Sequence, residues 1–326
     1  MIHVGFVVDN NYCKYLAVTL ASILKSSNEK DDYTFHIIND GSINDVSKAK
    51  LNELKKIRNF EIKYYSQDKK LHHEKRNDTR NDISMVTNYR LMISSILSDI
   101  DKVIFMDADL IIVNDIRELW DIDIDDCYMA CCSSINDAMT VEYKKQLDIP
   151  AEYYYCNTGV MLVNLKKWRE EDIEEKLFEK EKQYRGIYRF YDQCIFNITL
   201  YDKIKYINQK FNFRPGIWGN SEFMNSNYGK EGSLLDINPV VIHWASPVKP
   251  WQDNKQPFAS DYFDFAKLTP YYYERQIESI YKFRKNVETK PCKLKWYKKL
   301  LSMRNSPDKK HKLVYVLGLK FSVKKN

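Results

Sequence analysis

Apolar residues recur along this chain in two rhythms. Short apolar runs bounded by polar turns read as buried strands, and apolar residues returning every three or four positions read as one face of a helix. On that basis His3–Asp9, Phe35–Ile38, Phe60–Tyr65 and Val103–Met106 are predicted strands. Tyr12–Lys25 is a predicted helix, with Leu16, Leu20, Ile23 and Leu24 on one face; Ile43–Ile57 and Thr87–Leu97 follow the same spacing. This alternation predicts an α/β fold, a mostly parallel sheet with helices on both faces. The second half is less regular. Tyr128–Cys132, Val160–Leu165 and Val240–His243 read as strands, and Glu171–Tyr184 as a charged, exposed helix. The polar stretch Ser133–Glu152 is expected outside the sheet.

Composition narrows the picture. The chain has 326 residues, 44% apolar and 14% aromatic, enough for a sizeable core. No apolar run approaches the roughly 18 residues needed to cross a bilayer, and the first residues lack the basic segment of a signal peptide. The seven cysteines are odd in number and form no Cys-x-x-Cys pair; Cys131, Cys132 and Cys194 sit in apolar runs. They read as small core residues of a reducing compartment.

Charge divides the chain. Residues 282–326 hold fifteen Lys/Arg and two acids, a net of +13, which leaves −7 for residues 1–281 out of the total of +6. We therefore expect a domain over 1–281 and a basic extension over 282–326. The extension includes Trp296, Tyr297 and the run Leu313–Leu317. Basic residues interleaved with aromatics suit an anionic membrane surface better than nucleic acid; the bland alternative is a solvated, partly helical extension.

The chemistry concentrates at the end of Val103–Met106, where Asp107-Ala108-Asp109 follows. Two adjacent carboxylates at a strand end are costly unless a cation neutralises them, and hard divalent ions favour carboxylate oxygen. Open α/β sheets bind ligands at the carboxyl ends of strands. No glycine-rich phosphate loop occurs, so a nucleotide would need its phosphates neutralised by a metal and by side chains. His243 ends the late strand, and Lys249 follows six residues later between Pro247 and Pro250, which stiffen the backbone. A held ammonium beside a metal-binding imidazole suits a diphosphate leaving group.

Several ordered motifs carry a resemblance. They are Phe6-Val7-Val8-Asp9-Asn10-Asn11-Tyr12, Thr87-Asn88-Tyr89-Arg90-Leu91, Asp101–Asp109, Tyr155–Leu165, Tyr191-Asp192-Gln193, and His243 with Lys249-Pro250-Trp251. From His3 to about Trp251 the chain resembles family 8 glycosyltransferases, which include bacterial lipopolysaccharide α-galactosyl- and α-glucosyltransferases. The resemblance implies a GT-A fold and a retaining transfer of galactose or glucose from a UDP-sugar, with Mn²⁺, or Mg²⁺ as the alternative ion. It implies that Asp107, Asp109 and His243 hold the metal. Asp9 and Tyr12 would contact the uracil, with Val8 and Asn11 beside them. Arg90, Ala108 and Asp109 would line the donor, Asn157 and Gly159 the donor-sugar pocket, and Ser246 and Lys249 the diphosphate. Asp192 and Gln193 would lie by the anomeric carbon. The acceptor would be a saccharide or lipid-linked saccharide in surface-glycan synthesis. The basic ending resembles family members working peripherally at the cytoplasmic face of the inner membrane.

Where relatives carry glycine this chain has Ser246, and Pro247 after it favours the extended geometry serine adopts. We expect altered phosphate contact without loss of binding. Each residue also has a structural alternative: Asp9 as a helix cap, Arg90 as a surface charge, Asn157-Thr158-Gly159 as a turn, and Asp192-Gln193 as a helix start. Asp137 is a further donor-sugar candidate. Two rival functions stand beside transfer. One is an aspartate-dependent phosphohydrolase using Asp107 as nucleophile; the other is a non-catalytic nucleotide-sugar-binding protein.

Overall fold

The computed structural model describes residues 1–67, 85–134, 138–215, 238–274, 301–305, 311–316 and 319–324. Among them the chain divides into two compact units, Met1–Tyr272 and Tyr273–Asn326. Asp137, Trp296 and Tyr297 lie outside the described residues.

Four parallel strands open the first unit: β1 (Ile2–Val7), β2 (Tyr33–Asn39), β3 (Glu61–Ser66) and β4 (Lys102–Met106). They pair in the order β3-β2-β1-β4. The sheet continues with β7 (Cys156–Asn164), antiparallel to β4, then β6 (Met129–Ser133), antiparallel to β7, and β8 (Ile204–Tyr206), parallel to β6. The sheet is thus mostly parallel, as the alternation predicts, with a central antiparallel strand. A separate two-stranded sheet joins β5 (Leu110–Ile112) to β9 (Val241–His243), with Leu110 opposite His243.

Helices cover both faces. On one face α1 (Cys13–Ser26) packs Leu16, Leu20 and Ile23 against Val4, Phe6 and Ile104. On the other, Trp168, Leu177 and Phe196 pack against Val103, Phe105 and Met161; they lie on α6 (Leu165–Glu170), α7 (Ile173–Gln183) and α8 (Tyr191–Leu200), which follow α3 (Ile93–Ile96), α4 (Arg117–Trp120) and α5 (Ala138–Gln146). Residues from both faces of β4 are fully buried, which is why that strand reads as an unbroken apolar run.

Several boundaries differ from expectation. The helix predicted over Thr87–Leu97 is a 3-10 segment, Met85–Met92, followed by one helical turn, Ile93–Ile96. Ile43–Ile57 is α2 (Asp45–Asn52) and a 3-10 turn, Glu53–Lys56. The strand expected from Val160 begins at Cys156, so Asn157-Thr158-Gly159 is strand and not turn. The polar stretch after Ser133 contains a helix, Ala138–Gln146. In the second unit, Leu301–Asn305, His311–Val316 and Leu319–Lys324 form an antiparallel three-stranded sheet, so these residues are not the helix of the bland alternative.

Candidate active site

The site is built where β1, β4, β7 and the β5–β9 pair end. Asp107 and Asp109 occupy the turn between β4 and β5. Thr19, buried in α1, donates its hydroxyl to the Leu110 carbonyl at 2.8 Å and lies 3.3 Å from that of Ala108. The Asp107 N–H donates to the Gly159 carbonyl at 2.9 Å, and the Trp244 N–H to the Asp109 carbonyl at 3.2 Å. The turn is therefore held from three sides, and its carboxylates converge on His243. His243 Nε2 lies 3.2 Å from Asp109 Oδ1 and 3.5 Å from Asp107 Oδ2.

Positive charge gathers around the pair. Lys249 Nζ donates to Asp109 Oδ2 at 2.5 Å and to the Trp244 carbonyl at 2.6 Å. Burial pushes the Asp109 carboxyl upward, but the His243 ring and the Lys249 ammonium outweigh it and hold the group well below the usual carboxylate range. Arg90 is buried and bridges Asp107 Oδ1 (3.1 Å) and Asp192 Oδ2 (3.0 Å), with a further hydrogen bond to the Thr158 carbonyl. It is no surface charge. Asp192 is pushed up to about 6, chiefly by burial, against the Arg90 guanidinium; Asp107 adds to the upward push.

A divalent cation fits these residues. One ligand atom from each of Asp107, Asp109 and His243 lies within 4.8 Å of the others. Asp109 Oδ1 is buried without a hydrogen-bond partner, an expensive condition unless something positive engages it. Gly159 leaves the room: a Cβ there would stand 2.2 Å from His243 Cε1 and 2.8 Å from Asp107 Oδ2.

The remaining candidates fall into three groups. Asp9 caps the 3-10 turn Asn10–Tyr12, accepting from the Tyr12 N–H at 2.9 Å, so the capping alternative is real locally. Tyr12 packs edge-on to Tyr15, which stacks on Trp251 at 3.9 Å. Burial, then the charges of Asp109 and Asp107, raise the Tyr12 hydroxyl, so Tyr12 shares the field of the acidic pair. At the start of α8, Gln193 Oε1 accepts from Asn157 Nδ2 at 3.0 Å and the Thr158 N–H at 3.3 Å. Asp192 and Gln193 sit in the first turn of α8, directly after Tyr191, whose φ of 47° is left-handed. Such strain in an aromatic residue persists only where surrounding structure imposes it. Outside this network, Val8 is core, Asn11 is exposed, and Ser246 donates its hydroxyl to the Val248 carbonyl at 2.8 Å. Ser246 is not among the positive-φ residues, as Pro247 predicts.

Three contributors escape the sequence pattern: Thr19, Asn197 and Asn212. Asn197 ties α8 to β7 by bonding both backbone groups of Cys156, at 2.7 and 2.9 Å. Asn212 Oδ1 stands 2.9 Å from His243 Nδ1. A polar residue fixed between Phe211 and Phe213 is the only local hint of that role.

Fold and site together define a glycosyltransferase of GT-A architecture. A structure of the galactosyltransferase LgtC, in complex with donor and acceptor sugar analogs, superposes with a TM-score of 0.73 at 27% identity, covering 82% of this chain and 96% of that one. The lipopolysaccharide 1,2-glucosyltransferase of Escherichia coli is 28% identical over 267 residues, 80% of this chain and 76% of that protein. The lipopolysaccharide 1,3-galactosyltransferase of Salmonella typhimurium is 26% identical over 273 residues, 81% and 77%. The model of glycosyl transferase family 8 matches residues 3–255, and the chain belongs to that family. Its donor is accordingly a nucleotide sugar and its acceptor a saccharide. Family membership leaves the phosphohydrolase and non-catalytic readings without support.

Proposed function

We propose that this enzyme transfers galactose or glucose, with retention, from a UDP-sugar to a saccharide of a surface glycan such as lipopolysaccharide, using Mn²⁺. The observation that carries this reading is the placement of Lys249 and His243 on the two oxygens of one buried carboxylate, Asp109. An ammonium and a metal-binding imidazole meet there, where a departing diphosphate needs its charge neutralised. Asp107, Asp109 and His243 would hold the ion, which supplies that neutralisation when bound. Lys249 would move from Asp109 to the phosphates. Asp9, Asn11 and Tyr12 would seat the base, and Ala108 and Asp109 the ribose side. Arg90, Asn157 and Gly159 would line the sugar pocket.

As the bond from the anomeric carbon to phosphate breaks, the sugar becomes oxocarbenium-like. The Asp192 carboxylate and Gln193 carbonyl would stabilise that charge. A carboxamide is a poor nucleophile, so we favour attack by the acceptor hydroxyl on the face the diphosphate leaves. The new bond joins the anomeric carbon to the acceptor oxygen, and the acceptor proton passes to the departing phosphate oxygen. A panel of nucleotide sugars with Mn²⁺ and saccharide acceptors, scored by UDP release, tests the assignment. Release of another nucleotide from every active donor would overturn it.

The second element of the proposal concerns residues 282–326. Their net charge of +13 would dock the enzyme on anionic lipid at the cytoplasmic face of the inner membrane, beside a lipid-linked acceptor. No described helix is long and apolar enough to cross a bilayer. The full chain should sediment with anionic vesicles and not with neutral ones, and a chain ending at Tyr281 should lose that binding.

A further inference from the structure

The site contains a hydrogen-bond relay that fixes the histidine, and its direction can be derived from backbone donors alone. Side-chain amide orientation and imidazole tautomer are normally assigned and not observed. Here two main-chain N–H groups, which can only donate, settle them.

The Gly159 N–H donates to Asn157 Oδ1 at 3.1 Å. The Asn157 amide nitrogen must then face Gln193, whose Oε1 accepts from it at 3.0 Å and also from the Thr158 N–H at 3.3 Å. Asn157 Oδ1 is the atom that meets Asn212, 2.8 Å away, so Asn212 presents its nitrogen there. That leaves Asn212 Oδ1, an acceptor only, against His243 Nδ1 at 2.9 Å. Nδ1 therefore carries a proton, and Nε2 is the ring atom that faces Asp107 and Asp109.

Asn212 is fully buried and well held. It ends the 3-10 turn Gln209–Asn212, which Asn208 caps at the Lys210 N–H, 2.9 Å away. Phe213 next to it brackets β9: its N–H donates to the Val241 carbonyl at 2.9 Å, and its carbonyl accepts from the His243 N–H at 2.8 Å. The backbones carrying Asn212 and His243 are thus locked together, and the amide has no freedom to turn away.

We propose that Asn212 is a positioning residue. It holds His243 in the Nδ1–H tautomer for a divalent cation and ties that tautomer, through Asn157, to the Gln193 amide at the reacting centre. The inference rests on the reading of His243 as a metal ligand. Outer partners of this kind commonly change metal affinity by about 10–100-fold when removed.

The test uses the full chain as wild type, Asn212→Leu, Asn212→Asp and His243→Ala. Two measurements are made: Mn²⁺ affinity by electron paramagnetic resonance, and the imidazole tautomer of the metal-free protein by long-range ¹H–¹⁵N correlation. Thermal melting checks that each variant folds. Wild type should show His243 protonated at Nδ1. Asn212→Leu should lose the single tautomer and bind Mn²⁺ about 10–100-fold more weakly. Asn212→Asp keeps an acceptor at Nδ1 and should restore Mn²⁺ affinity to within a few-fold. It should still raise KM for the donor, because a carboxylate cannot donate to Asn157 Oδ1. A purely structural role would lower melting temperature in both variants and leave the affinity of the folded protein unchanged.

An Nε2–H tautomer in wild type overturns the proposal even if every variant fails to fold. Unchanged Mn²⁺ affinity and tautomer in a folded Asn212→Leu overturn it as well. If His243→Ala binds Mn²⁺ as tightly as wild type, the metal-ligand reading falls instead, and the tautomer spectra still decide the relay.

Discussion

Two histidines, one in each sheet of the first unit, sit in buried polar clusters with opposite electrostatics. His36, on β2, faces His3 across the strand pair at 3.0 Å and the Tyr65 hydroxyl at 3.0 Å. Burial, then His3 and Lys63, lower it to about 4, and Asp99 opposes only weakly. His243, on β9, faces two carboxylates at 3.2 and 3.5 Å and an amide behind. Both rings are fully enclosed, so burial does not distinguish the two. The difference lies in what the ring nitrogens meet. At His36 both are taken by neutral partners of the fold. At His243 one is taken, and the other shares its space with Asp109 Oδ1, which has no hydrogen bond of its own.

The largest way to break the contrast is to remove the carboxylates. Asp107→Asn or Asp109→Asn should lower transfer by about a thousandfold, the scale of several kcal/mol of lost charge stabilisation, measured as UDP release at saturating metal. His36→Phe should leave that rate within twofold. Gly159→Ala comes next: its added methyl would strike His243 and Asp107, so Mn²⁺ affinity should fall about 10–100-fold by titration while the fold survives.

Asp192 gives a pH handle on the acidic side. With its carboxyl at about 6, kcat should climb as pH rises through that value. Asp192→Asn should erase this limb and slow transfer about a hundredfold. Since the folded group holds its proton more tightly than the unfolded chain, its contribution to stability is present at low pH and lost as pH rises through about 6. His36 runs the other way. Its folded pKa is depressed, so the unfolded chain takes up the proton first, and stability should fall between pH 6.5 and about 4. The loss should be up to about 3 kcal/mol in denaturant titrations, and His36→Phe should flatten it. The smallest effect is reserved for Ser246→Gly, which should shift donor KM by no more than a few-fold, since the serine already has ordinary backbone geometry.

The sheet was legible where the physics is local. Buried parallel strands leave uninterrupted apolar runs, so β1, β2 and β4 stand out, as does α1 with its apolar face. Thr87–Leu97 carries helical spacing but coils as 3-10, because Arg90 must turn inward to Asp107 and Asp192. Tertiary ion pairing overrides periodicity there. β5 was invisible for another reason: three residues hold too little pattern, and the strand exists only because β9 pairs with it. The cluster of Asp107, Asp109 and His243, which could hold a cation, was legible as residue types in order. Asn212 and Thr19 were not, since neither polarity nor spacing separates a buried amide that meets a distant histidine from one that caps a turn.

The short β5–β9 ladder ties the site to the order in which the chain is made. It closes a loop from Leu110 to His243, so the acidic pair waits for a partner made more than a hundred residues later. A nascent polypeptide paused on the ribosome before His243 emerges holds the two carboxylates without the imidazole and the ammonium that meet them in the finished fold. A chain that stops upstream of this closure lacks both of these partners of Asp109.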